Sequence, residues 1–156
     1  MKTSCGFIIK DKNTGLFLGC LPTGCKKRDN QLNIGKKSDI KITKSDVTLS
    51  IKEGTLTKTG ATLILTNNSD KNFSYGEPYE IEVKKDDVWH KINVELNFIL
   101  PSYSLTANES VEIELDWEEG YGVLPSGTYR IIKDIDYEQT NGNFQIFTIA
   151  SEFTIE

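Results

Sequence analysis

From Asp46 to the last residue, apolar and polar side chains alternate with a period of two in one short run after another. The clearest run sets Val111, Ile113, Leu115 and Trp117 against Glu112, Glu114 and Asp116. Val47, Leu49 and Ile51 alternate with Thr48, Ser50 and Lys52, and Ala61, Leu63 and Leu65 with Thr62, Ile64 and Thr66. Tyr79, Ile81 and Val83 stand against Glu80, Glu82 and Lys84, and Tyr129 and Ile131 against Arg130 and Ile132. Phe144–Ile149 and Phe153–Ile155 read as one strand bent near Ala150. Successive strand residues point to opposite faces, so each run turns one face to a core and the other to water. Val111, Ile113, Leu115, Trp117, Tyr129 and Ile131 are therefore expected to be buried.

Gly, Pro, Asn and Asp separate these runs, with turns expected at Asn67-Asn68-Ser69-Asp70 and at Asp86-Asp87. Many short strands at this spacing, without an amphipathic helix, predict an antiparallel β-sandwich. A length of about 110 residues is that of an immunoglobulin-like, Greek-key sandwich. Leu124-Pro125-Ser126-Gly127-Thr128-Tyr129 precedes one strand. Pro fixes φ and Gly permits a tight approach, which would return the Tyr129 hydroxyl to the preceding loop as a tyrosine corner.

Residues 1–45 differ. They show no sustained period and are expected to form a flexible basic arm ahead of a domain at 46–156, with 26–45 as a tether. Residues 1–44 carry ten Lys/Arg against three Asp, a net of +7, which leaves −12 on the remainder of a chain whose total is −5. An acidic body repels phosphate backbones, and the arm lacks interleaved aromatics for base stacking, so no nucleic-acid partner is expected. All three cysteines, Cys5, Cys20 and Cys25, lie in the arm. Lys2 opens the chain and Gly precedes both Cys20 and Cys25. These two are the lipidation candidates of an atypical lipoprotein signal region. Cys25 ranks first, because Lys10-Asp11-Lys12 falls inside the apolar stretch that Cys20 would need. A cytoplasmic chain with free thiols is the alternative.

Catalytic constellations are not found. His90 is the only histidine. Gly19-x4-Gly24 lacks the Lys-Ser/Thr of a phosphate loop, and Gly120-x-Gly122 lacks a third glycine. The acidic sets Asp116/Glu118/Glu119 and Asp134/Asp136/Glu138 lack the order of a calcium loop. No metal and no cofactor are expected. Trp117 continues an inward face, whereas Tyr75, Tyr121 and Glu118 fall in loops and are the candidates for surface contact, since loops on a rigid sandwich commonly carry recognition.

Leu65-Thr66-Asn67-Asn68-Ser69-Asp70, Tyr75-Gly76-Glu77-Pro78-Tyr79, Trp89, Asn108-Glu109-Ser110, Asp116-Trp117, Tyr121-Gly122 and Gly127-Thr128-Tyr129-Arg130-Ile131 occur in that order. The ordered set resembles the bacterial immunoglobulin-like domain of many uncharacterised lipoproteins and surface proteins of Gram-positive bacteria. Ala107 stands where that family tends to have Pro in a turn. The resemblance implies a sandwich and no catalytic residues: a binding or structural module at the cell surface, its partner an unknown protein or cell-wall component, with the membrane touched only through a lipid anchor. A looser resemblance to the intracellular proteinase inhibitors of bacilli supplies the alternative function.

Overall fold

The computed structural model describes residues 31–156 in full, and the backbone of β1 (Ile9–Lys10) and β2 (Phe17–Leu18), which pair antiparallel. The chain divides into two compact units, Met1–Gln31 and Leu32–Glu156.

Two antiparallel sheets face each other. The smaller has the order β10 (Ser110–Asp116), β5 (Gly60–Asn67), β4 (Val47–Ile51). The larger is built on the hairpin of β11 (Gly127–Glu138) and β12 (Phe144–Ile155), paired without a break from Gly127↔Ile155 to Glu138↔Phe144. Along the opposite edge of β11 lie first β7 (Glu80–Lys85) and then β6 (Phe73–Gly76). β8 (Val88–Ile92) and β3 (Ile34–Lys37) extend the sheet beyond β7, and β9 (Ser102–Leu105) extends it beyond β6. The chain enters each sheet more than once, as a Greek key does. Asp86 (φ 50°) and Asp87 (φ 62°) both adopt the left-handed conformation of a tight two-residue hairpin between β7 and β8.

The core lies between the sheets. Leu63, Leu65, Leu105, Leu124, Tyr129 and Ile131 have no exposed surface at all. Trp117 packs on Phe153 (ring centroids 5.8 Å apart), which stacks on Tyr129 (5.5 Å). Trp117 Nε1 donates to the Lys58 carbonyl at 3.0 Å, so its one polar atom is satisfied. Buried Asn67 ties loops together: its Nδ2 donates to the Lys71 and Thr106 carbonyls and its Oδ1 accepts from the Ser69 amide. The Tyr129 hydroxyl donates to the Pro125 carbonyl at 2.6 Å, four residues back.

Two expectations need correction. Val111, Ile113 and Leu115 are half-buried, because β10 is an edge strand with a partner on one side only. The segment expected to be a tether up to residue 45 is partly sheet and partly cover. Ile34 and Lys37 pair with Ile92 and His90 of β8. The Ser38 amide then bonds the Trp89 carbonyl, and the Thr43 amide bonds the Thr148 carbonyl on β12. Residues 38–43 thus cross the outer face of the large sheet from one edge to the other. The lysines around them, Lys36, Lys37, Lys41 and Lys44, hid this, since a strap needs only a few backbone bonds and little apolar surface.

Removal of residues 1–45 is therefore expected to lower the denaturant midpoint, whereas removal of 1–31 leaves it nearly unchanged; urea unfolding of both fragments decides. Tyr129→Phe is expected to cost about 1 kcal/mol at neutral pH through its lost hydrogen bond. Burial pushes the Tyr129 phenol up to about 12. The unfolded phenol ionises first, so this stabilisation is present below an unfolded value of about 10 and is lost as pH climbs towards 12. The gap between wild type and Tyr129→Phe should close over that range.

Candidate functional site

β6 and β7 run in the same direction along β11 and amount to one interrupted strand. Tyr75 faces Ile135 and Glu80 faces Ile132, so Gly76–Tyr79 stand where β11 offers only Lys133 and Asp134. The next pair out is interrupted at the same level. Gly76 faces Ser102 and Glu82 faces Lys91, with residues 93–101 bridging from β8 to β9. Two neighbouring strands broken side by side leave a gap in the sheet, and a cleft of about 780 Å³ opens there.

Lys133 plugs the inner end of this gap. It shares the inward register of Tyr129, Ile131 and Ile135 and is 1% exposed. Its Nζ donates to the carbonyls of Gly76 (2.5 Å) and Pro78 (3.2 Å), at the level where β6 and β7 leave β11 unpaired. Burial lowers the Lys133 pKa, and the nearby Glu77 and Asp134 oppose that shift.

The floor of the cleft is apolar, formed by Tyr79, Ile81, Ile92 and Phe98 with Tyr121, while Glu80, Lys91 and Asp134 supply polar walls. Val94, Leu96 and Phe98 pack alternately against the core, and Phe98 meets Tyr79 edge-on at 5.4 Å. Leu96 lies so close over Gly120 that a side chain there would collide with it. Ile99 and Leu100 then point outward at the rim, 75% and 87% exposed. Tyr103 packs beside the cleft residue Tyr75, their rings 5.4 Å apart, and its hydroxyl donates to Glu77 Oε1 at 2.6 Å. Such a site can bury an apolar group and orient it with a few polar contacts. His90 is not among the cleft-lining residues; its Nδ1 lies 3.4 Å from the Gly35 carbonyl.

On the outer face of the same sheet, Glu82 and Arg130 form a buried ion pair. Arg130 Nε and Nη2 reach Glu82 Oε2 at 2.8 and 2.6 Å, with Glu82 fully buried. The guanidinium also lies 4.6 Å from the Trp89 ring centroid and contacts Ser38 Oγ. Glu82 Oε1 is buried with no hydrogen-bond partner among the described residues. Lys91, opposite Glu82, bridges to Asp39 at 3.2 Å on the strap above. The strap is thus what shuts this pair away from water.

The residues singled out from sequence scatter. Tyr121 is not at the surface. It ends the single-turn helix α1 (Glu118–Tyr121), is 8% exposed, and accepts the Ile81 amide at 2.9 Å. Desolvation raises its pKa far above that of a free phenol. An aromatic four residues past the inward Trp117, one helical turn on, returns to the side of the core. Tyr75 is half-buried at the cleft wall, and Glu118 is exposed in the first turn of α1. Cys20 and Cys25 lie outside the described residues. Sequence reasoning missed Lys133, Glu82 and the Ile99-Leu100 rim. Lys133 had a readable signal, a lysine at an inward position of a period-two run.

Two unequal antiparallel sheets, Greek-key connections and a Tyr129-to-Pro125 corner define an immunoglobulin-like sandwich. The family model described as "Bacterial Ig-like domain" matches residues 43–154, and the chain belongs to that family. Domains of this family are in general non-catalytic structural or binding modules. No curated protein matches the chain.

Arg130→Ala is expected to cost about 3–5 kcal/mol, because it strands a buried carboxylate. The double variant Glu82→Leu/Arg130→Met should lose far less than the sum of its single changes. Denaturant midpoints of the three proteins check this; additive losses would mean the two charges act independently.

Proposed function

We propose that the protein is an extracytoplasmic binding module, anchored at the cell surface by lipid on Cys25 or, failing that, Cys20. The observation that carries the binding role is the pairing of an apolar-floored cleft with Ile99 and Leu100 left in water at its rim. Exposed apolar side chains gathered at a concave site mark a place where another molecule excludes water. The partner is a protein or a cell-wall component. Tyr75 on the cleft wall and Tyr103 packed against it offer flat, partly polar surface of the kind enriched where proteins meet partners. Nucleic acid is disfavoured by the acidic body.

Membership of a family of structural and binding domains supports this reading, as does the placing of the only histidine away from the cleft. With lipid at the N-terminal segment, the basic residues there would lie near anionic headgroups while the acidic sandwich was held off.

Intact-mass spectrometry of the protein from its native membrane is expected to show a diacylglycerol adduct on one cysteine. Pull-down with the wild-type domain, but not with Leu100→Asp, should recover a cell-envelope component. An unmodified chain that inhibits a serine protease would replace this reading with that of a proteinase inhibitor.

A further inference from the structure

A free strand edge is a template for another chain, and soluble proteins guard such edges with charge, proline or shortness. This sandwich guards most of its own. β10 carries Glu112, Glu114 and Asp116, β3 carries Lys36 and Lys37, and β9 is four residues long and preceded by Pro101. The uncharged edge strand β4 fully exposes only Thr48 and Ser50, whereas the first part of β12 turns large apolar side chains to water. No residue from Phe144 to Ile149 is charged. Among the described residues, its outer edge meets a backbone partner only at Thr148, through Thr43. Phe144 and Ile146 are 63% and 64% exposed, on the same face two residues apart.

We propose that the Phe144–Phe147 edge of β12 pairs antiparallel with the same edge of a second copy of this chain, joining the two large sheets into one. The spacing of the exposed side chains selects a second copy. Antiparallel partners share a face, so a strand pairing with itself must match positions on the same side of the sheet. Centring the pairing on Gln145 sets Phe144 against Ile146 of the second copy, and Ile146 against its Phe144. Aromatic and β-branched residues in cross-strand pairs are mutually stabilising. The register is therefore self-complementary, with two such pairs and no like charges opposed within the paired segment. A one-residue slip would place these side chains on opposite faces.

The limits of the contact are also set by the structure. Thr43 occupies the edge at Thr148, and the turn around Gly142 closes the other end. The ladder is short, so the dimer is concentration-dependent. Each chain carries −5, so the copies repel at long range and association strengthens as salt screens that charge.

The test uses the full chain with Cys5, Cys20 and Cys25 replaced by Ser. Sedimentation equilibrium from micromolar to millimolar protein should show a monomer–dimer equilibrium that tightens with added salt. Ile146→Lys, at an exposed position, should weaken it about tenfold or more while leaving the circular dichroism spectrum unchanged. Gln145→Cys faces its own copy across the two-fold axis, where Cα atoms of about 4.5–5.5 Å separation suit a disulfide. Mild oxidation should crosslink it and leave Glu112→Cys monomeric. A chain that stays monomeric throughout overturns the proposal. So does a dimer indifferent to Ile146→Lys, or equal crosslinking of the two cysteine variants.

Discussion

The organising constraint is the burial of one ammonium group. Lys133 lies on the core face of the central strand, where neighbouring positions hold Tyr129, Ile131 and Ile135. A lysine there must bring acceptors with it, since an unsolvated charge in an apolar layer is far too costly. The acceptors are the carbonyls of Gly76 and Pro78. In an unbroken ladder those carbonyls would be engaged by a neighbouring strand. Lysine and interruption therefore sustain each other: the break frees the oxygens, and the ammonium compensates them. The cleft follows as the space that two interrupted strands cannot fill.

A second buried charge governs the opposite face. Glu82 sits in a run whose alternation assigns it to water, yet it has no exposed surface. Arg130 across the ladder, Trp89 beside it and residues 38–43 above it account for this. A buried pair of this sort contributes little net stability over an apolar replacement, but breaking it is costly. It ties the strap to the sheet without requiring the strap itself to be apolar. The lysine-rich stretch that reads as solvated chain can thus serve as structure.

Much of the fold was legible because period-two alternation and turn residues are local signals. β4, β5, β7 and the β11–β12 hairpin follow from them, as does the Pro125–Tyr129 corner. What was not legible depends on relations across the sheet. No local pattern shows that Ile34–Lys37 will find the edge of β8, or that Tyr121 will reach back to the Ile81 amide. The cleft was invisible for the same reason, because it arises from two interruptions that are distant in sequence and coincide only in register. Half-burial of Val111, Ile113 and Leu115 likewise reflects an edge position, which alternation cannot distinguish from a centre.

The double interruption also divides the large sheet into two blocks, β7–β8–β3 and β6–β9, hydrogen-bonded as separate ladders to the same hairpin. The hairpin closes through a short turn, whereas pairing of β7 or β6 with β11 requires contacts such as Glu82 to Arg130 or Tyr75 to Ile135, dozens of residues apart in sequence. Local ladders form faster and non-local ones pay loop-closure entropy first. The β11–β12 hairpin is therefore the unit that can assemble early and open last. The block bearing β6 and β9 pairs its backbone with β11 only at Ile135 and Asp136 and is therefore held chiefly by side chains such as Phe73 and Leu105 in the core. Amide hydrogen exchange would see one slow hairpin flanked by two neighbours breathing on separate clocks.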